Sequence, residues 1–404
     1  MSSLASFDPL DPGTVECPYD FYRALREHGG VYQVPGRGFF LVSRFDTAMQ
    51  VIKDTDTFSS KSGVAVPRSA DGSHWWKEGE VRTLLTADPP DHRKYRELVN
   101  KAFSAKRVAS WEPRIRAIAN ELIDEFAGKG HCELVYEFAV PLPLIVICEA
   151  LGLPRSKLRV FKEWSDGIAR LGGMTSPEEF AGIVERAKEF SAYVDQVITE
   201  RRDDLGDDFI SDLLRAEFDG QRPLTLPELN SIVTQFLVAG NETTTNTIAS
   251  GMWLLLTHPE QLAAAREDAA LLPNLVEEVL RIESPVQAHF RVATRDTELD
   301  GVKIPAGAGV GVVYGCCNRD DDKFPDAESF DIRRSNASRH LAFSQGIHFC
   351  PGAPLARLES VIAFELLLAR LPNVRLDTAR SDLSHVPSFT HRGLKAVALE
   401  FDHA

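Results

Sequence analysis

One stretch near the C-terminus limits what this chain can fold into more than any other: His340-Leu-Ala-Phe343-Ser344-Gln-Gly346-Ile-His348-Phe-Cys350-Pro351-Gly352-Ala-Pro-Leu-Ala-Arg357. It seats a cysteine in a turn shaped by Gly346, Pro351 and Gly352, directly ahead of an apolar segment that reads as a helix through about Leu368. A thiol at a helix N-terminus meets unpaired backbone N–H groups and the positive end of the helix dipole, and both favour the thiolate. The stretch therefore prepares an anionic sulfur ligand.

Around it the chain has 404 residues, ample for burying a ligand cavity, with 44% hydrophobic and 26% charged residues, the balance of a soluble globular protein. A formal charge of -14 excludes a general nucleic-acid binder, because phosphate affinity needs a basic surface. Six cysteines, at 17, 132, 148, 316, 317 and 350, form no C-x-x-C pair and suggest neither a disulfide framework nor a zinc site, so a reducing cytoplasm is the natural compartment. The N-terminus has neither a signal-peptide pattern nor a long apolar anchor.

No repeat, low-complexity tract or Gly/Ser-rich linker divides the chain, and we expect a single domain over 1–404. A β-richer N-terminal part, about 1–60, holds a helix around Pro18 to Glu27 and strands at Gly30 to Val34 and Gly38 to Val42. A helix-rich core follows over about 89–285, then short strands at Val302 to Ile304 and Gly309 to Val313, an irregular stretch, and the loop at 340–352. The fold class is mainly α, a large helical bundle with small β-sheets. Ser62 to Leu85, with four glycines and prolines around Trp75 and Trp76, reads as a loop with at most one short helix.

Three further constellations stand out. In Asp88-Pro89-Pro90-Asp91-His92-Arg93-Lys94-Tyr95-Arg96 the prolines mark a helix start, and His92 and Arg96 share one helical face, suited to an anionic carboxylate. Thr225-Leu-Pro-Glu228 is a capping box that opens the longest helical candidate, running to about Leu256. Along it Ile232, Phe236, Ala239, Gly240 and Thr243 make one face of apolar and small residues ending in a hydroxyl that can bond back to a carbonyl one turn earlier. Gly240 costs about 1 kcal/mol of helix stability relative to Ala, so the position needs a reason, and room for something large and flat supplies one. Finally, Glu278 and Arg281 stand three apart on one helical face, and Arg291 follows in a strand after Pro285.

Phe-x-x-Gly-x-His-x-Cys-x-Gly followed by Leu-Ala-Arg, together with Ala239-Gly240-Asn241-Glu242-Thr243-Thr244 and the Glu278-x-x-Arg281 pair, resembles the cytochrome P450 family over nearly the whole chain. The one departure is Ser344, where the family usually has Gly and where a side chain tolerates left-handed backbone angles less well.

The resemblance implies a cytochrome P450 fold with haem b (iron-protoporphyrin IX) buried between the Thr225–Leu256 helix and the Cys350 loop. It makes Cys350 the metal ligand. His92, Arg96, Arg291 and His348 would bind haem propionates, with Ala239, Gly240, Phe343 and Gly352 also against the cofactor. Thr243 and Glu242 would be the catalytic pair that handles oxygen and relays protons. Glu278 and Arg281 would join a later arginine, Arg334 ahead of Arg333, in a structural lock. Trp75, Trp76, Phe236, Val286, Gln287, Ala288 and Phe389 would face an apolar small-molecule substrate.

Between Arg93 and Arg107 six basic residues stand against one acid. The resemblance makes Arg93, Lys94, Lys101, Lys106 and Arg107 a basic proximal face for an iron–sulfur ferredoxin, itself fed by an NAD(P)H-dependent ferredoxin reductase. The expected activity is insertion of one oxygen atom of O2 into the substrate, by hydroxylation or oxidative demethylation, by a soluble cytoplasmic monomer. Two alternatives stay open: a peroxide-driven peroxygenase, whose members usually lack the acid and alcohol pair, and a non-catalytic haem-binding or sensor protein.

Overall fold

Helical periodicity through the middle of the chain and short β-branched runs on either side become separate layers in the computed structural model, which describes residues 4, 7–61, 81–169 and 177–403. Trp75, Trp76 and the rest of 62–80 lie outside the described residues. Strands β1 (Val31–Gln33), β2 (Phe39–Val42), β3 (Phe58–Ser59), β4 (Ala288–Ala293) and β5 (Gly309–Val313) form one sheet in the order β1-β2-β5-β4-β3. β5 lies parallel to β2 and antiparallel to β4, with Val310 opposite Arg291. The N-terminal strands thus share one sheet with strands from the last third of the chain. Strands of two to four residues bury too little alone, and these are completed by β4 and β5 from the last third of the chain.

The helices that position the site are α1 (Asp91–Ala102), α2 (Ala105–Ala127), α3 (Pro141–Leu151), α4 (Leu226–Thr257), α5 (Leu272–Ile282) and α6 (Ala353–Arg370). The main core joins Ile115 and Ile118 of α2, Ile248 and Met252 of α4, Val279 of α5, and Ile362 and Phe364 of α6, all fully buried. Each such side chain contributes about 1.5–3 kcal/mol of burial.

The capping box forms as its spacing predicts: Glu228 N–H donates to Thr225 Oγ1 at 3.4 Å and Thr225 N–H to Glu228 Oε2 at 2.7 Å. Glu228 does more than cap. It accepts from Tyr95 Oη at 2.6 Å and from both Arg222 Nη atoms at 2.7 and 2.8 Å. Burial raises its carboxyl, but the Arg222, Tyr95 and Thr225 donors win and hold it down at about 2. This ties the start of α4 to the middle of α1, the helix that carries His92 and Arg96.

Glu278 and Arg281, which on an exposed helix would contribute only a few tenths of a kcal/mol, are completely buried. Arg281 Nε and Nη2 each donate to the Glu278 carboxylate at 2.8 Å, and Arg334 Nε joins at 3.1 Å, while Arg333 is exposed. Remaining donors of the two arginines end on the carbonyls of Asn318, Pro325, Asp326, Ala327 and Ser329. The irregular stretch before the cysteine loop is thus held by guanidinium bonds rather than by a ladder.

Candidate active site

A cavity of about 340 Å³ lies between α4 and the Cys350 loop. On one wall the Cys350 N–H donates to the Phe343 carbonyl at 2.9 Å, closing the turn just ahead of α6. Burial pushes the Cys350 thiol up and outweighs the opposing pull of the Gly352 and Ala353 N–H groups and of Arg96 and Arg357. The N–H groups at the helix start favour the thiolate as expected, and burial opposes them. A cation bound in the cavity would supply what is missing.

Gly346 takes φ +66°, the left-handed angle that favours glycine, and Ser344 takes φ +57° with no such freedom. Arg357 is pinned by Glu277 at 2.6 and 2.9 Å and stacks over the Phe343 ring at 4.6 Å, fixing the base of the loop.

Along one side of the cavity His92, Arg96, Arg291 and His348 converge. The His92 and His348 rings stand 4.3 Å apart, and His348 Nε2 is 2.9 Å from Ser60 Oγ. Ser60 is itself held, its N–H donating to Asp88 Oδ1 at 2.8 Å. Arg96 donates to Asn100 and to the Phe349 carbonyl, and Arg291 only to the carbonyl of its neighbour Phe290. Neither arginine has a carboxylate partner among the described residues, although Arg291 is 3% exposed. Burial, with Arg96 close by, pushes His92 down to about 4, and burial with Arg291 and His92 pushes His348 down to about 2.

On α4 the Thr243 hydroxyl donates back to the Ala239 carbonyl at 2.9 Å and Thr247 does the same to Thr243. The helix nevertheless runs unbroken through this turn, so the back-bond opens no gap. Ala239, Glu242 and Thr243 all line the cavity. Gly240 borders the cavity and has a second reason besides the one expected: a Cβ there would meet Ile147 of α3 at 3.2 Å. It lets two helices approach closely.

Of the expected substrate residues, Phe236 and Val286 face the cavity. Gln287, Ala288 and Phe389 do not. Gln287 accepts from Tyr22 Oη at 2.6 Å and donates to the Ser284 carbonyl, Ala288 is sealed in the core against the N-terminal helix Tyr19–His28, and Phe389 packs on Phe290. Within β4 alternation puts Ala288 on the face opposite His289 and Arg291, while Val286 lies ahead of the strand, bridged only to His391, and does not follow its alternation. The face of β4 that carries Arg291 also carries His289, a cavity residue the motif reading missed and period-2 spacing could have found. Tyr314, Glu359 and His391 were missed too. Glu359 of α6 is 2% exposed, bonds to no described residue, and burial pushes its carboxyl well up.

The basic stretch changes character. Lys94 turns to Asp91 at 3.3 Å and Asp219 at 3.5 Å, Arg107 to Asp212 at 2.7 Å, and Arg93 lies 3.6 Å from Glu97. Only Lys101 and Lys106 of the five have no acid partner among the described residues. Of the excess counted along the chain, Lys94 and Arg107 are met by acids from elsewhere in it, and Arg96, Lys101 and Lys106 by none among the described residues.

These residues fit a haem. Among the described residues no three His, Cys, Asp or Glu side chains cluster as a metal cage, so Cys350 offers a single ligand, which suits an iron whose other ligands come with its own ring. Buried Arg291 and His92, with half-buried Arg96 and His348 beside them and no bonded acid among the described residues, suit a group carrying carboxylates. The class so defined is a haem-thiolate protein.

Residues 174–372 match the family description Cytochrome P450. The cytochrome P450 monooxygenase PikC of Streptomyces venezuelae is 39% identical over 394 residues, covering 95% of this chain and 91% of its own. 6-Deoxyerythronolide B hydroxylase of Saccharopolyspora erythraea is 36% identical over 395 residues, covering 95% and 96%. Cytochrome P450 CYP109Q5 from Chondromyces apiculatus, a solved structure, matches with a TM-score of 0.87 at 40% identity over 99% of both chains. The chain belongs to the cytochrome P450 family. It is an oxidoreductase of the haem-thiolate monooxygenase kind, which draws reducing equivalents from outside, and among its described residues no helix is long and apolar enough to cross a membrane.

Proposed function

We propose that Cys350 ligates the iron of a b-type haem and that the cavity inserts one oxygen atom of O2 into an apolar organic substrate, the other atom leaving as water. The observation that carries this reading is that one cavity joins a lone thiol to two arginines and two histidines, none of them bonded to an acid among the described residues. When bound, the haem supplies the oxidation itself. Its carboxylates take the donors of His92, Arg96, Arg291 and His348, each charge-assisted bond roughly twice as strong as a neutral one.

Thr243, whose proton is committed to the Ala239 carbonyl, turns its lone pairs to the cavity and accepts a proton-bearing group there. Glu242 beside it moves protons between solvent and that site, two being consumed with two electrons per turnover. Leu84, Phe236, Val238 and Val286 exclude water and hold the substrate by its apolar surface. The electrons come from NAD(P)H through a reductase and an iron–sulfur ferredoxin. Lys101 and Lys106 supply the steering charge, and Ile347, 39% exposed beside His348, gives the contact an apolar centre.

Reduced protein under carbon monoxide is expected to show the strongly red-shifted Soret band of a thiolate adduct, and Cys350→Ala to lose it; an unshifted band in the wild type would sink the assignment. Turnover supported by a surrogate ferredoxin system but not by peroxide alone separates this reading from a peroxygenase. Thr243→Ala is expected to keep haem while diverting electrons to hydrogen peroxide, and unchanged product per electron would remove Thr243 from the proton path.

A further inference from the structure

Ser344 stands where the resemblance expects glycine, and the fold does not relieve it: φ is +57° and the residue is 6% exposed. A buried side chain held in left-handed backbone needs a compensating contact. One is present. Tyr314, at the end of β5 and 1% exposed, donates its hydroxyl to Ser344 Oγ at 3.3 Å. Having accepted from Tyr314, Ser344 retains its own proton, and no described residue accepts it. Both residues line the cavity, and the Tyr314 ring stands edge-on to His289, 5.5 Å away, on the strand face that also carries Arg291.

We propose that Tyr314 and Ser344 form a hydroxyl pair that adds a neutral donor to the carboxylate clamp, Tyr314 orienting Ser344 and Ser344 donating to a propionate of the bound cofactor. A glycine at 344 could not do this, and a phenylalanine at 314 would leave the serine hydroxyl free to turn away. The pair is thus a cofactor-positioning device, and it rests on the haem-thiolate reading above.

The test uses holoprotein with Ser344→Gly, Tyr314→Phe and the double variant. It follows haem transfer to excess apomyoglobin, the ferric/ferrous midpoint potential and thermal stability of the apoprotein. Each single variant is expected to lose haem about tenfold faster, the effect of one lost hydrogen bond to a charged group, with the double variant no worse than either. The potential is expected to rise or fall together in all three, because propionate charge is what the pair offsets. Ser344→Gly relieves the left-handed strain, so it folds even if other substitutions there do not. Wild-type haem loss and potential in Ser344→Gly and Tyr314→Phe would overturn the pair, as would fully additive effects. A wild type without the thiolate signature would overturn the haem reading itself, and a wild type that has it while the variants stay unchanged overturns only the pair.

Discussion

Two clusters of arginine in this protein, one around Glu278 and one beside the cavity, differ in one respect. Around Glu278 the charges are complete: Arg281 and Arg334 share one carboxylate and end their other donors on carbonyls. Beside the cavity, Arg96 and Arg291 sit with His92 and His348, and neither arginine bonds to an acid among the described residues. Burial penalises Arg281, Arg334 and Arg291, and half-buried Arg96 less. A cluster that balances itself is architecture, and a cluster left unbalanced is kept for something that arrives.

The largest effect expected on this comparison is at the balanced cluster. Glu278→Ala strands two buried guanidinium groups and should cost about 3–5 kcal/mol, read by denaturant unfolding of the apoprotein. A loss below about 1 kcal/mol, the size of an exposed pair, would erase the distinction. At the unbalanced cluster Arg291→Leu should do the opposite: the apoprotein holds its stability or gains some, while haem retention drops by roughly 1.5–3 kcal/mol, or about tenfold to a hundredfold. An apoprotein destabilised as strongly as Glu278→Ala would mean that Arg291 is structural.

Glu359 sharpens the contrast from the acid side. Its folded carboxyl is raised above the ordinary value near 4.5, so the folded state keeps a proton that the unfolded state has released. The stability is full below pH 4.5 and falls as pH climbs toward the raised value, by up to about 1.4 kcal/mol per pH unit. Glu359→Gln should remove that slope in apoprotein unfolding measured across pH, and an unaltered slope would show that the carboxyl is ionised and paired. The smallest effect belongs to Ser344→Gly, where relief of left-handed strain, about 1 kcal/mol, is offset by loss of the Tyr314 bond. Apoprotein stability should change little, and a loss above about 2 kcal/mol would make the serine a packing residue.

Much of this was readable along the chain. The capping box at Thr225, the α1 start after Pro89-Pro90, β5 at Gly309–Val313 and the Cys350 turn depend on neighbours within a few residues, and there spacing is enough. The four clamp residues were brought together in the sequence only by the family resemblance, and the structure lines them along one cavity. The substrate wall was not: Gln287, Ala288 and Phe389 share a segment with cavity residues, yet their side chains go to Tyr22, to the N-terminal helix and to Phe290.

What the sequence alone determined is the order of the motifs, the mainly helical class and the cysteine placed to ligate, because each follows from periodicity and turn chemistry over short range. Only the tertiary structure decided which charges are cancelled. Lys94 and Arg107 meet acids more than a hundred residues away, Glu278 gains Arg334 fifty-six residues on, and Arg96 and Arg291 meet none among the described residues. Pairing depends on segments brought together by burial, and the energy of a charge is set by what stands within a few ångströms of it rather than by what precedes it in the chain.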